Sequence, residues 1–452
     1  MFQKILLGRD VLKRHMKFIR KIFKFKQVLI LLIVLLLAFF LLTRDLNEPF
    51  WGHHEFNGVF YSNIARNYLK YGFLQTGFKE VTNYGTVARS NFSYHTHHPP
   101  LFPIFLSLAF KLFGISEVVA RTMSIFFSLG FLLVFYLLAK YIYNISKAAI
   151  FLLFGIFTPV FLYYARLPVY EPIASFFIII TAFFYLYWHK TKNNKFFILG
   201  LVSLLLAQLT EWPSFYLSPC LFLHQFIFYP KKRKLAISWL AIPGMTIIAI
   251  LLLRPSQGLL SIFTKRMSVG SSQPFTFWEF IRLELARLRS FFTTPLLLLT
   301  FFWVAGYIKK FISNFKKIDF KEHFIIFFLI FGLAHIIIFP NIAWYHDYMF
   351  YYFFPPVLLA TFISMDKLFK SFKAYGFLAF LFVLLIIMFE KKQFLIDLKN
   401  LDPHKDCVLW GIKIKENKMK PLIETKNKEV YKICPPFTNY YADLEVKFKL
   451  LP

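Results

Sequence analysis

Apolar runs of membrane-span length recur along the chain, separated by short polar breaks. They predict helices that cross a bilayer over 27–43, 118–140, 147–165, 172–189, 196–210, 213–229, 235–253, 291–308, 323–340, 349–364 and 374–390. A crossing takes about 20 residues, with a range of roughly 17–25. The pattern therefore predicts an all-α polytopic membrane protein of about eleven spans. Three segments break it: a long first loop, Thr43–His98; a second, Arg254–Ser290, with a helical stretch at Trp278–Arg289; and a polar tail, 391–452, too short for a separate domain. The chain thus reads as one transmembrane unit, 1–390, whose first loop with its interfacial part covers 44–117, followed by the tail.

Charge orients the pattern. Lys and Arg crowd the stretch Lys4–Lys26 ahead of the first run, and Val28–Leu42 has no small-residue cleavage site after it. This predicts a retained anchor with a cytoplasmic N-terminus. Alternate connections are then basic: Lys140–Lys147, His189–Lys195, Lys231–Lys234, Lys309–Lys321 and Lys367–Lys373. Pro99–Gly114 is apolar enough to cross, but a crossing there would put Lys231–Lys234 and His189–Lys195 outside. The charge rule favours a helix lying in the outer interface.

Composition narrows the class. The 452 residues are 58% hydrophobic, with 63 Phe and a mean hydropathy of +0.56; soluble domains sit nearer ~45–50% apolar. The net charge of +30 is spread between the apolar blocks, which points to lipid headgroups rather than nucleic acid. Cys220 lies in an apolar block, and no CxxC signals a zinc or redox site. Cys407 and Cys434 both fall in the tail, where an outer location would let them pair. No Walker loop, GxGxxG or DxD motif is present, so nucleotide-dependent chemistry is unsupported.

With sidedness set by charge alone, the unusual polar residues gather on the outer face. His53, His54 and Glu55 lie in the first loop, and His95, His97 and His98 at its end; Arg166, Glu171, Glu211, Trp212, His346 and Asp347 lie at outer span ends. Singly, each has a plain reading: solvated loop residues, an interfacial Arg166–Glu171 pair, headgroup contacts, and a hydrogen-bonded helix contact for His335. Convergence favours a site at the membrane surface. A carboxylate there serves as general base for an acceptor hydroxyl or amine. Basic side chains hold a phosphate and stabilise its charge as it leaves. This describes group transfer from a lipid-linked phosphate donor.

At these residues the chain resembles the GT-C type of membrane glycosyltransferase, near the protein O-mannosyltransferase and aminoarabinose transferase group. HHEFNGVFYSNIARNYLKYGFL resembles the family's first loop, with its interfacial helix at Tyr61–Arg66. HHPPLFPIFLSLAFKLFG with SEVVARTMSIFFSLG resembles its [HK]PPL helix and second span. ARLPVYEPIASFF and WYHDYMFYYFFPP resemble later segments. The likeness is strong over about 50–210 and weaker beyond. It implies the GT-C fold, an inverting transfer from a polyprenyl-phosphate sugar, and a site on the outer face of the plasma (cell inner) membrane. The acceptor is left open among lipid, glycan and protein.

The family's Asp-Glu pair falls on Asn57 and Gly58, a departure. Glu55 is the nearest carboxylate and is expected to be the base, with Glu171 positioning the acceptor or a metal. His98 occupies the family's Lys/His position and is expected at the donor phosphate, with His54, His97, Arg166, Arg266 and His346 as further phosphate contacts. Arg66 reads as structural. No cofactor is assigned. A divalent metal at His53, His54 and Glu55 is disfavoured, because adjacent side chains do not readily face one ion. The rival readings are a non-catalytic binder of lipid-linked sugar, suggested by the missing pair, and a transporter or flippase, which the nearly charge-free span interiors disfavour.

Overall fold

The computed structural model describes residues 25–95, 98–253, 264–270, 274–372, 374–399 and 404–451. Six helices in it are long and apolar enough to cross a membrane: Phe25–Leu42 (α1), Glu117–Ile142 (α4), Tyr170–Thr191 (α6), Pro230–Leu252, Phe277–Asn314 (α10) and Phe320–Ile338 (α11). Shorter apolar helices accompany them at Leu101–Phe113 (α3), Ala148–Phe157 (α5) and Asn194–Thr210 (α7). Leu217–Phe228 (α8) pairs with Arg233–Leu253 (α9), and Phe354–Phe372 (α12) with Ala374–Lys399 (α13). The described residues thus form a helical membrane bundle, with two small two-stranded sheets outside it.

Polar breaks and caps set the helix ends. Ser116 caps α4 by accepting from the Val119 amide. Thr276 and Glu279 form a reciprocal capping box at the start of α10. The sequence pattern separates a loop helix near 278–289 from a span at 291–308. Here they run on as one element with a kink at Thr293, φ +63°, two residues before Pro295. Proline lacks the N–H the helix would need there.

Helix α2, Phe56–Tyr71, organises the first loop. Its Asn63 donates to the Thr82 and Asn83 carbonyls, and Asn67 donates to those of Val81 and Asn83. Four residues apart, the two amides share one helix face and clamp the returning chain. That clamp sets the short antiparallel pair β1, Glu80–Val81, and β2, Tyr94–His95, with Glu80 opposite His95. Helix α3 follows Pro99-Pro100 and packs on α2 and α4. Its 13 residues extend about 20 Å, short of the ~30 Å hydrocarbon core.

The polar tail folds rather than trailing. Lys405–Lys415 (α14) and Lys428–Ala442 (α15) pack together, joined by a Cys407–Cys434 disulfide, and β3, Leu422–Thr425, pairs in parallel with β4, Lys447–Leu450. This unit stands on the first loop. Arg66 pairs with Asp443 at 2.8 Å and lies over the Tyr440 ring, while the Tyr441 hydroxyl donates to Glu117 and accepts from the Phe50 amide.

Candidate functional site

The helix connections fall into two groups at opposite ends of the bundle. At one end a cavity is lined by Ile142, Asn144, His189, Lys190, Lys192, Tyr229 and Lys321, the connections that read as basic in the sequence. At the other lies a cavity of about 310 Å³, walled by α2, the ends of α6 and α7, the 264–270 segment and the connection from α11 to α12.

Its polar wall has four corners. Glu171 enters from the first turn of α6; it is 1% exposed, and its Oε2 has no hydrogen-bond partner among the described residues. Glu211 lies in the turn after α7, and His98 Nδ1 sits 2.9 Å from its Oε2. The His98 ring stacks on Tyr170 with centroids 5.1 Å apart. Arg266 and His346 close the far side.

Burial sets the charges. It raises Glu211 to about 8, against the Trp212 amide and Arg266, which favour its anion. Burial lowers His346 to about 3, aided by His54 and Arg266, so this imidazole is neutral. Burial also lowers Arg266, opposed by Glu211. The cavity thus presents a cation and the neutral His346 imidazole beside two buried carboxyl groups.

Of the residues expected from sequence, the cavity brings together Glu171, His98, Arg266 and His346. His97 lies outside the described residues. Arg166 donates to the Asp45 carbonyl, away from the cavity. His54 pairs with Asp347 behind Tyr348, which itself lines the cavity.

Glu55 does not line the cavity. Its Oε1 accepts from Arg121 at 2.6 Å, and its Oε2 accepts from the Trp51 and Gly52 amides at 3.0 and 2.9 Å. Arg121 in turn donates to the carbonyls of Leu46, Glu48 and Pro49. Glu55 therefore fastens the loop to α4. Asn57, at the position of the resembled family's acid, does line the cavity.

Three cavity residues lacked a sequence assignment: Glu211, His95 and His335. Glu211 and His95 were visible in the outer-face cluster, but their pairing with His98 at 2.9 Å and with Glu80 at 2.6 Å was not. His335 reads as a helix contact in sequence, yet its ring faces the cavity.

The bundle and its cavity define a polytopic membrane protein with the fold of the GT-C membrane glycosyltransferases. Within it, residues 97–255 match the family described as dolichyl-phosphate-mannose-protein mannosyltransferase. The chain superposes on an oligosaccharyltransferase of Archaeoglobus fulgidus tethered to an acceptor peptide, with TM-score 0.62 and 12% identity, covering 94% of this chain and 64% of that one. The oligosaccharyltransferase AglB of the same organism, in complex with an inhibitory peptide and a dolichol-phosphate, gives 0.60 and 14% over 95% and 60%. ArnT of Cupriavidus metallidurans, bound to undecaprenyl phosphate, gives 0.53 and 13% over 91% and 74%. The chain spans 64% and 60% of the two archaeal chains, and at such identities the likeness is one of fold. No curated protein matches the sequence.

Proposed function

We propose that the protein is a membrane glycosyltransferase that moves a sugar from a polyprenyl-phosphate donor to an acceptor on the outer face of the membrane. The observation that carries this is the cavity itself: Glu171, with an unpartnered carboxylate oxygen, shares one wall system with Arg266, His98 and His346. The solved neighbours with bound dolichol-phosphate and undecaprenyl phosphate support the donor class.

In this reading the acceptor attacks the anomeric carbon opposite the phosphate, and the carbon–oxygen bond to phosphate breaks with inversion. Glu171 takes the acceptor's proton. Arg266 and His98 hold the departing phosphate, whose charge a fixed cation stabilises most in a water-poor cavity. Glu55 becomes a positioning residue that holds α2 and the loop in place. The basic end faces the cytoplasm. The Cys407–Cys434 disulfide on the cavity side fits an oxidising outer compartment. The acceptor stays open among lipid, glycan and protein.

The test is incubation of the purified protein in lipid with polyprenyl-phosphate sugars and a cell-envelope extract. Release of polyprenyl phosphate that Glu171→Gln abolishes supports the reading. Donor binding without release by the wild type favours a non-catalytic binder, the reading suggested by Asn57 where the resembled family has its acid.

A further inference from the structure

Beside the cavity, behind Tyr348, the first loop meets the connection between α11 and α12 in a cluster the transfer chemistry leaves unused. His53 Nε2 lies 3.1 Å from Asp347 Oδ2, and His54 Nε2 lies 2.8 Å from Oδ1 of the same carboxylate. One ligand atom from each residue falls within 4.8 Å of the other two.

Consecutive side chains ordinarily diverge. Here His54 holds φ +58°, a left-handed conformation uncommon outside glycine and costly enough that its surroundings must enforce it. The two rings consequently lie side by side, centroids 4.0 Å apart. The scaffold around them is fixed: the Tyr163 hydroxyl donates to the His53 carbonyl and the Tyr164 hydroxyl to Asp347 Oδ1, both at 2.6 Å.

One of the ligand nitrogens is under-used. His54 Nε2 is buried and, though close to Asp347, makes no aligned hydrogen bond. His346 Nδ1 is also buried without a partner among the described residues, its ring 6.2 Å from that of His54. A buried imidazole nitrogen that sits 2.8 Å from a carboxylate oxygen without an aligned hydrogen bond is available as a metal ligand. Two imidazoles with one carboxylate suit zinc and similar transition ions, whereas calcium and magnesium take oxygen donors. Zinc bonds of about 2.0–2.1 Å in a tetrahedron set ligand atoms roughly 3.3 Å apart, and the two nitrogen–oxygen separations of 3.1 and 2.8 Å, one to each carboxylate oxygen, lie within about half an ångström of that. A second shell is already present in the Tyr164 hydroxyl on the carboxylate.

We propose that His53, His54 and Asp347 bind a divalent transition metal. The ion ties the first loop to the segment bearing His346 and Tyr348, and so sets the position of that cavity wall. Metal binding at these three residues needs no sugar donor and is independent of the transferase reading.

The test uses purified full-length protein in detergent, stripped with a chelator and titrated with zinc or cobalt alone. The expected result is one ion per chain by mass spectrometry, a visible cobalt absorption of a four- or five-coordinate site, and a melting temperature that rises with added metal. His54→Gln and Asp347→Asn should lose the ion and the absorption, while His98→Gln, in the cavity wall, keeps both. Absence of stoichiometric metal from the wild type overturns the proposal, as does equal binding by the His54 and Asp347 variants. Should those variants fail to fold, a wild-type melting temperature indifferent to metal overturns it as well.

Discussion

The Arg121 guanidinium meets the Glu55 carboxylate at 2.6 Å, with the Arg121 side chain only 1% exposed. An arginine in an apolar span is costly unless satisfied, and here the loop carbonyls and Glu55 accept from its two terminal nitrogens. Removing one member of a buried pair leaves the other uncompensated, at a cost of ~3–5 kcal/mol. Arg121→Met should therefore lower the melting temperature sharply. Glu55→Gln should also destabilise, because an amide nitrogen cannot accept from the Trp51 or Gly52 N–H. The Glu55→Gln fraction that folds should turn over within a few-fold of wild type. Normal melting with lost turnover would instead return Glu55 to the role of base.

Glu171 carries the opposite expectation. Glu171 lines the cavity and its Oε2 is unpartnered among the described residues, so Glu171→Gln should fold normally. Loss of a general base costs about 10²–10⁴-fold, and the fall should appear in the single-turnover rate rather than in donor affinity. An unchanged rate would exclude Glu171.

Glu211 makes a pH-dependent prediction. Its folded value of about 8 lies above the ordinary 4.5. Between these two values the unfolded chain has released this proton and the native chain has not, so the native state is progressively destabilised as pH rises across that window. Outside the window this contribution is flat. Melting measured from about pH 5 to about pH 9 should show the slope in wild type and its loss in Glu211→Gln.

The tail should depend on its disulfide. Cys407 and Cys434 close a 27-residue separation, a constraint worth about 2–4 kcal/mol. Reduction, or Cys434→Ser, should raise hydrogen exchange across 405–451 and at Arg66, whose partners Asp443 and Tyr440 lie in that unit. Exchange in α6 and α7 should not change. Loosening of the bundle instead would mean that the tail supports the whole fold.

That the chain is a polytopic helical membrane protein was legible in the sequence, because a bilayer imposes its requirement locally: every stretch inside it must be apolar and must satisfy its own backbone; of the roughly eleven spans expected, six helices among the described residues are long and apolar enough to cross. The same local reasoning sorted polar from basic connections, and the structure gathers those connections at opposite ends. The kink of α10 was written as Pro295, but its effect on two adjoining helices was not. Which carboxylate faces the cavity was not legible either. Glu55 and Glu171 look alike as letters; what separates them is Arg121, 66 positions from Glu55, which occupies the Glu55 carboxylate, while Glu171 Oε2 has no partner among the described residues. His53 and His54 show the same division. Their adjacency argued against a shared ion until one backbone angle, held by Tyr163 and Asp347 from distant segments, turned both rings to one side. Sequence alone determined that the chain is an apolar, polytopic helical membrane protein, since apolarity is decided residue by residue. Tertiary structure decided which polar groups are free to react, since that depends on partners brought close only by folding.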